Sequence, residues 1–196
     1  MTPRSVAVMN ILALSGSLRT ASINSALLRA AARLAPPAVT VSVCDGLGEL
    51  PLFNPDLEAS PPGAVATFRA HVANADALLV ASPEYAHGVT GTIKNALDWL
   101  VSFEPFAGKP VALLNASPRA HHADAALREI LRTMSAAIVE PASIAIPLLG
   151  AKLDEAGMAS DPVVAAAIQV SLSALREAVV LHKAATNASF SAASSQ

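Results

Sequence analysis

The stretch that decides the fold is Ile11-Leu12-Ala13-Leu14 followed by Ser15-Gly16-Ser17-Leu18-Arg19-Thr20-Ala21-Ser22-Ile23-Asn24. An apolar run leads directly into a turn of small residues and then into an amphipathic segment. An unbroken apolar run is typical of a strand buried on both faces of a sheet, and a helix after it begins a parallel α/β unit. The same alternation is therefore expected along the rest of the chain.

Apolar runs and amphipathic segments do alternate along the chain. Strands are predicted over residues 11–14, 39–44, 76–82, 110–116 and 141–146, and helices over residues 22–34, 63–74, 90–102, 124–137 and 161–185. The alternation predicts a parallel sheet covered on both faces, and right-handed crossovers leave a few doubly wound strand orders. Residues 1–186 are predicted to form a single domain, and the Ala/Ser-rich residues 187–196 a flexible tail.

Composition excludes several classes of protein. Of the 196 residues 53% are apolar and only 14% are charged, and the net charge of -2 gives no reason to expect nucleic acid or a membrane as a partner. The lone Cys44 excludes an internal disulfide and a cysteine-based zinc site, which suits a cytoplasmic protein. Apolar runs of 18 residues without charge are absent, so no transmembrane helix is expected.

The N-terminus superficially resembles a signal peptide. Arg4 precedes an apolar run over residues 6–14, but Asn10 interrupts that run and cleavage would remove the first strand. We expect no signal peptide, and the sequence leaves open whether the chain starts at Met1 or Met9.

Three loops are expected at one edge of the sheet, because ligands of open parallel sheets bind beyond the carboxyl ends of the strands. The first loop leads into a helix whose N-terminal amides favour an anion. Ser17, Ser22 and Asn24 add polar groups, and Arg19 adds a fork that matches a phosphate. The alternative is an ordinary N-cap by Thr20 or Ser22 with Arg19 in solvent. The glycines of a dinucleotide fingerprint and the Gly-Lys of a Walker loop are missing.

The second and third loops are candidates for binding a flat heterocycle. In the second loop, Pro83 fixes the direction in which the chain leaves the strand. The backbone could hold a ring by hydrogen bonds to its edge, and Tyr85 could stack on it. His87 alone is only a weak indication of a catalytic residue. The third, residues 115–122, carries Arg119 and the adjacent His121 and His122, which are not expected to form a metal pair and whose roles stay open.

No nucleophile elbow and no carboxylate pair stands out, which favours a bound cofactor that carries the reaction. The pieces Gly16-Ser17-Leu18-Arg19 with Ser22 and Asn24, Pro83-Glu84-Tyr85 and Lys94-Asn95-Ala96-Leu97-Asp98-Trp99 resemble, in order and spacing, the NADPH-dependent FMN reductase family. This flavodoxin-like group includes quinone, azo-dye and chromate reductases. The resemblance covers residues 9 to about 150.

The resemblance implies a flavodoxin-like three-layer sandwich around a five-stranded parallel sheet of order 2-1-3-4-5. It implies non-covalent FMN, which takes electrons from NADPH or NADH and passes them to quinones or other small acceptors in a ping-pong reaction. It also implies a homodimer or homotetramer. No metal and no catalytic side chain is expected, since the flavin carries the chemistry.

The resemblance also assigns the site residues. Ser17, Arg19, Ser22 and Asn24 would hold the FMN phosphate; Pro83, Glu84, Tyr85, Ala86 and His87 would line the flavin ring, mostly through backbone, and Ser117 would lie on its other flank. Two departures concern the same site. Ala86 stands where the family usually has Asn, and Arg119-Ala120-His121-His122 stands where it often has a Gly-Gly pair.

Two other functions stay open. One is a flavodoxin-like electron carrier without nicotinamide turnover, although such carriers are usually strongly acidic. The other is a nucleotide- or phosphate-binding module with no redox role. The sequence does not decide between NADPH and NADH, between dimer and tetramer, or among acceptors.

Overall fold

The computed structural model describes residues 8–193. Its strands are β1 (Met9–Ser15), β2 (Val39–Val43), β3 (Ala77–Ala81), β4 (Pro110–Asn115), β5 (Ala137–Ile138) and β6 (Ile144–Ala145). Its helices are α1 (Ile23–Arg33), α2 (Gly63–Asn74), α3 (Gly91–Asp98), α4 (His121–Thr133), α5 (Glu155–Ser160) and α6 (Pro162–Ala193). Residues 1–7, which carry Met1 and Arg4, lie outside the described part.

All strand pairs are parallel, and the order is β2-β1-β3-β4-β5, with β6 also paired to β4. This confirms the flavodoxin-like order 2-1-3-4-5. The order reverses at β1, because the chain leaves it toward β2 on one side and continues from β3 on the other. The loops after β1 and β3 therefore meet at the carboxyl edge of the sheet, where ligands of such folds bind.

Successive residues of β1 point to opposite faces of the sheet and enter two separate cores. Ile11 and Ala13 pack with α1 and α6 on one face, through residues such as Leu27 and Ile168. Leu12 and Leu14 pack with α2, α3 and α4 on the other. Both faces are covered, which explains why the strand is an unbroken apolar run.

The predicted fifth strand over residues 141–146 is wrong in its bounds. Its place beside β4 is taken by the two short strands β5 and β6, separated by a 3-10 turn at Glu140–Ala142. Pro141 lies inside that turn and has no amide hydrogen to donate to a ladder, so one continuous strand is interrupted there.

The α4 helix is also shifted from its predicted bounds of 124–137. It begins at His121 and ends at Thr133, because Ser135 adopts a left-handed conformation with φ 60°. The short α5 lies in a segment predicted as loop; Asp154 is its N-cap, with Oδ1 accepting the Gly157 amide at 2.8 Å.

The final helix α6 continues to Ala193, beyond the predicted end at residue 185, because its alanines favour helix over coil. Residues 194–196 of the predicted tail lie outside the described part. The division into one domain of residues 1–186 and a flexible tail stays a prediction.

One helical stretch, Pro162–Thr186 of α6, is long and apolar enough to cross a membrane by length and composition. Its residues Ile168, Leu172 and Leu175 are buried against the sheet. The packing therefore assigns this stretch as the helix that covers one face of the sheet.

Candidate functional site

A cavity of about 950 Å³ lies at the carboxyl edge of the sheet, and a smaller one of about 260 Å³ shares Asn24 and Pro83 with it. Predicted site residues that line one or both are Ser17, Arg19, Ser22, Asn24, Pro83, Glu84, Tyr85 and Ser117. Ala86 and His87 line neither cavity. The structure thus brings three loops, which lie between residues 15 and 122 of the sequence, around one space of a size that suits a nucleotide.

The first loop holds its shape through serine hydroxyls. Ser22 is the N-cap of α1, and its Oγ accepts the Ser25 amide at 3.2 Å. Ser22 therefore caps α1, and Arg19 is exposed. The cap does not decide between an ordinary helix start and a phosphate site. Capping uses an acceptor position only, so the Ser22 hydroxyl hydrogen is still able to donate to an anion.

Asn24 carries the clearest mark of a ligand site. Its side chain is 5% exposed, yet within the described residues its Oδ1 atom has no hydrogen-bond partner. The amides of Ile23 and Asn24, at the start of α1, also donate to no acceptor in the part of the chain described. A buried polar group without a partner costs about 1–3 kcal/mol. A phosphate would accept hydrogen bonds from these two backbone amides. With the Asn24 side-chain amide turned so that its nitrogen stands where Oδ1 is now, that nitrogen would donate to the phosphate too, so the residues present fit the phosphate of FMN.

Gly16 lets the first and second loops approach each other closely. A Cβ added to Gly16 would lie 2.1 Å from Ser82 Oγ and 2.9 Å from Thr90 Oγ1. The close approach holds the end of β3 against the first loop, so the two loops that line the cavity are fixed relative to each other.

The second loop contains a tight turn with strained backbone. Tyr85 and Gly88 exchange two backbone hydrogen bonds of 3.2 and 3.0 Å, and the two residues between them, Ala86 and His87, have φ of 49° and 58°. This is the pattern of a type I′ turn, which favours Asn and Gly at both central positions. The turn therefore tolerates Ala86 and His87 at a cost in stability, and it holds Tyr85, which is 59% exposed, at the cavity.

Replacing Ala86 with glycine is expected to raise the free energy of unfolding by up to about 1 kcal/mol, because glycine adopts positive φ without a Cβ clash. Chemical denaturation measures the change. The matched control is Ala66→Gly in the exposed part of α2, which should lower stability by a similar amount. A loss of stability in both variants would contradict the strained-turn assignment.

Glu84 joins the second loop to α4. Its Oε2 atom accepts the Ala123 amide at 2.8 Å, in the first turn of the helix. That hydrogen bond, together with the nearby His122 and His87, holds the pKa of the Glu84 carboxyl below its usual value of 4.5. The side chain is therefore engaged in capping α4, which leaves its backbone for a ligand, as the resemblance implies.

Replacing Glu84 with glutamine is expected to destabilise the protein at pH 7, since the charged group that faces the positive end of α4 is lost. Because the folded-state pKa is lowered, the stabilisation is present above pH 4.5 and is lost as the pH falls through the folded pKa. Urea unfolding at several pH values should show the two proteins converging in acid. Glu129→Gln, exposed on the same helix, is the control; a constant difference between wild type and Glu84→Gln at all pH values would refute the assignment.

Three histidine rings contact one another beside Glu84, and one pair of them is stacked. The His87 and His122 rings lie 4.4 Å apart between centroids at 24°, and His121 lies 4.1 Å from His122. Stacked rings do not direct their nitrogens at a common point, and residues 8–193 contain no group of three His, Cys, Asp or Glu placed to hold a metal. The stack ties the second loop to the third.

The third loop presents Ser117 and Arg119 to the smaller cavity. Ser117 donates its amide to Asn115 Oδ1 at 2.9 Å and accepts the Arg119 amide on Oγ at 3.2 Å. These bonds hold the loop at the end of β4, with the Arg119 side chain free to face the cavity.

The motif over residues 94–99 is structural. Asn95 Oδ1 accepts the Phe53 amide at 2.8 Å, and Trp99 Nε1 donates to the Pro51 carbonyl at 2.8 Å. Thr90 is the N-cap of α3, and its Oγ1 accepts the Ile93 amide at 3.3 Å. The motif fixes the loop after β2 and does not line either cavity.

The thiol of Cys44 is inert. Burial, reinforced by Asp45, raises its pKa to about 11, so the thiol stays protonated at neutral pH. A protonated thiol is neither a nucleophile nor a metal ligand.

Part of the cavity wall escaped the sequence analysis. Arg29 and Arg33 on α1, together with Leu149, Lys152 and Leu153 before α5, line the larger cavity. The signal available in the sequence was the spacing of Arg29 and Arg33 by four residues, which places both on one face of a helix.

Fold and site together define a flavodoxin-like α/β protein with a nucleotide-sized cavity at the carboxyl edge of its sheet, lined by groups that fit an anion. The sequence pattern described as NADPH-dependent FMN reductase matches residues 9–149, and the chain belongs to this family.

Individual relatives support the same placement. An NAD(P)H-dependent FMN reductase of Pseudomonas aeruginosa is 46% identical over 112 residues, and a quinone reductase of Pseudomonas putida is 38% identical over 119 residues. These alignments cover 56% and 58% of this chain and 60% and 62% of the relatives, less than two thirds of their length. The solved structure of FerB, a flavoenzyme NAD(P)H:acceptor oxidoreductase from Paracoccus denitrificans, has a TM-score of 0.76 at 27% identity and covers 89% of this chain and 99% of its own.

Proposed function

We propose that this protein is an FMN-dependent NAD(P)H oxidoreductase that passes electrons to quinones or similar small acceptors. The observation that carries the proposal is the buried Asn24, whose Oδ1 finds no hydrogen-bond partner among residues 8–193, beside the Ile23 and Asn24 amides, which find no acceptor there either. Family membership supports the identity of the cofactor.

The first loop would hold the FMN phosphate. The amides of Ile23 and Asn24, the Ser22 hydroxyl and the side chain of Asn24 supply donors from a fixed frame, because α1 and its cap set their positions. Arg19 and Ser17 line the same cavity, and the exposed Arg19 adds a charge that compensates the phosphate. The positive end of the α1 dipole would further stabilise the doubly charged phosphate of FMN.

The second and third loops would orient the flavin ring. Pro83 and Tyr85 form one part of the wall and Ser117 another, and the Glu84 link to α4 keeps them at a fixed separation. FMN, when bound, supplies the hydride-accepting and electron-donating chemistry. The protein's part is to bind and orient, and the half-exposed Tyr85 leaves the cavity open to a second planar molecule.

The partners, the compartment and the assembly are inferred from charge, cysteine content and exposed apolar side chains. A net charge of -2 gives no reason for nucleic acid or membrane as a partner, and the lone protonated thiol suits a reducing cytoplasm. We propose a homodimer or homotetramer, in keeping with the exposed apolar side chains Leu18, Leu52 and Leu149.

The deciding experiment is a visible spectrum of the protein after incubation with FMN and desalting, followed by addition of NADPH under nitrogen. A retained flavin spectrum that bleaches is the expected result. Retained flavin that stays oxidised with NADPH and NADH would instead favour the electron carrier. Failure to retain flavin would refute the cofactor assignment and favour a phosphate-binding module.

A further inference from the structure

The larger cavity extends beyond the phosphate loop along α1. In that extension it is lined by Arg29, Arg33 and Lys152, and by the apolar Leu149 and Leu153. We call this part the cationic arm. None of its residues belongs to the predicted FMN site, and the proposed function leaves the arm unused.

The charges of the arm do not cancel. Glu155 accepts Arg29 Nε at 2.9 Å and lies 3.6 Å from Arg33, so one carboxylate faces two guanidinium groups. Lys152 forms no salt bridge within the described residues. Asp154 also lines the cavity, but its Oδ1 is engaged by the Gly157 amide. Four cationic side chains line the whole cavity, with Arg19 included, against two carboxylates, in a chain whose net charge is negative.

The arm and the proposed phosphate site lie on different turns of α1. Arg29 and Arg33 follow Ile23, the first residue of the helix, by 6 and 10 residues, which is about 9 and 15 Å at 1.5 Å per residue. These backbone distances exceed the separation of two neighbouring phosphates, which favours a second anion on the arm over the second phosphate of one pyrophosphate.

We propose that the cationic arm binds the 2′-phosphoadenosine end of NADPH, with Arg33 and Lys152 reading the 2′-phosphate and Leu149 and Leu153 packing on adenine. The proposal rests on the proposed function, since it places the electron donor in the same cavity as the flavin. It makes Arg33 and Lys152 the residues that favour NADPH over NADH. Arg29 is the positioning residue that holds α5 to α1 through Glu155.

The test is isothermal titration calorimetry of FMN-incubated protein with 2′,5′-ADP and, separately, with 5′-AMP. The wild-type protein should bind 2′,5′-ADP at least about tenfold more tightly than it binds 5′-AMP. Arg33→Gln and Lys152→Gln should each weaken 2′,5′-ADP binding about tenfold and leave 5′-AMP binding unchanged, as expected for one charge-assisted contact to phosphate. The KM for NADPH should rise similarly, with the KM for NADH unchanged.

Arg132→Gln is the matched control. The Arg132 side chain is 55% exposed and that of Arg33 is 56% exposed, and each lies beside a glutamate. Arg132 lies on α4, on the opposite face of the sheet from Arg33. It should alter neither titration. Equal affinity of the wild-type protein for 2′,5′-ADP and 5′-AMP would overturn the proposal. The proposal would also fail if Arg33→Gln and Lys152→Gln weakened the binding of FMN or FAD and left 2′,5′-ADP binding unchanged. The titration does not depend on turnover, so a protein that binds 2′,5′-ADP through Arg33 but is not bleached by NADPH would disprove the proposed function alone.

Discussion

Replacing Gly16 with alanine is expected to lower the free energy of unfolding by about 2–3 kcal/mol, the upper part of the range for inserting an atom into a packed site. The added Cβ would lie 2.1 Å from Ser82 Oγ and 2.6 Å from Ser82 Cβ. A rotation of the hydroxyl removes the first contact but not the second, so the backbone at the end of β1 or β3 has to move. Urea unfolding of the protein without flavin measures the loss.

Two further variants make this prediction specific. Gly63→Ala, at the first residue of α2, has no atom within 4 Å of the added Cβ and should be neutral or stabilising. Adding Ser82→Gly to Gly16→Ala removes the two contacts to Ser82 and leaves the one to Thr90 Oγ1 at 2.9 Å, so it should recover part of the lost stability. Equal effects at Gly16 and Gly63 would show that the loops do not meet as the structure has them.

Replacing Asn24 with leucine is expected to separate ligand binding from folding. The side chains branch alike, but leucine has no polar atom to leave without a partner. The protein without flavin should keep or gain stability, by about 1 kcal/mol, whereas the affinity for FMN should fall about 10- to 100-fold with the loss of a hydrogen bond to a charged group. Flavin fluorescence titration and urea unfolding give the two quantities.

Arg19→Ala is the companion variant for that experiment. Arg19 is exposed, so its loss should weaken FMN binding and leave stability unchanged. If Asn24→Leu instead destabilised the protein and bound FMN as wild type does, Asn24 would be a structural residue and the phosphate assignment would fail.

Much of the fold could be predicted from local pattern. The apolar run before Ser15 and the polar start of α1 are decided by neighbours in sequence, because burial on two faces and helix capping act over a few residues. The same holds for α2, whose predicted bounds of 63–74 agree with the structure. The bounds of the fifth strand could not be predicted from local pattern, because β5 and β6 are two-residue strands that exist only through pairing with β4.

The sequence by itself determined the alternation of strands and helices, the parallel sheet and the loops that would face a ligand. Only the tertiary structure decided which residues stand together at that edge. Arg29 meets Glu155 across 126 residues of sequence, and Glu84 reaches Ala123 across 39. Such contacts are absent from local pattern because they arise when helices and loops pack on a common sheet. Periodicity shows which face of a helix is buried, but not which distant side chain lies opposite it.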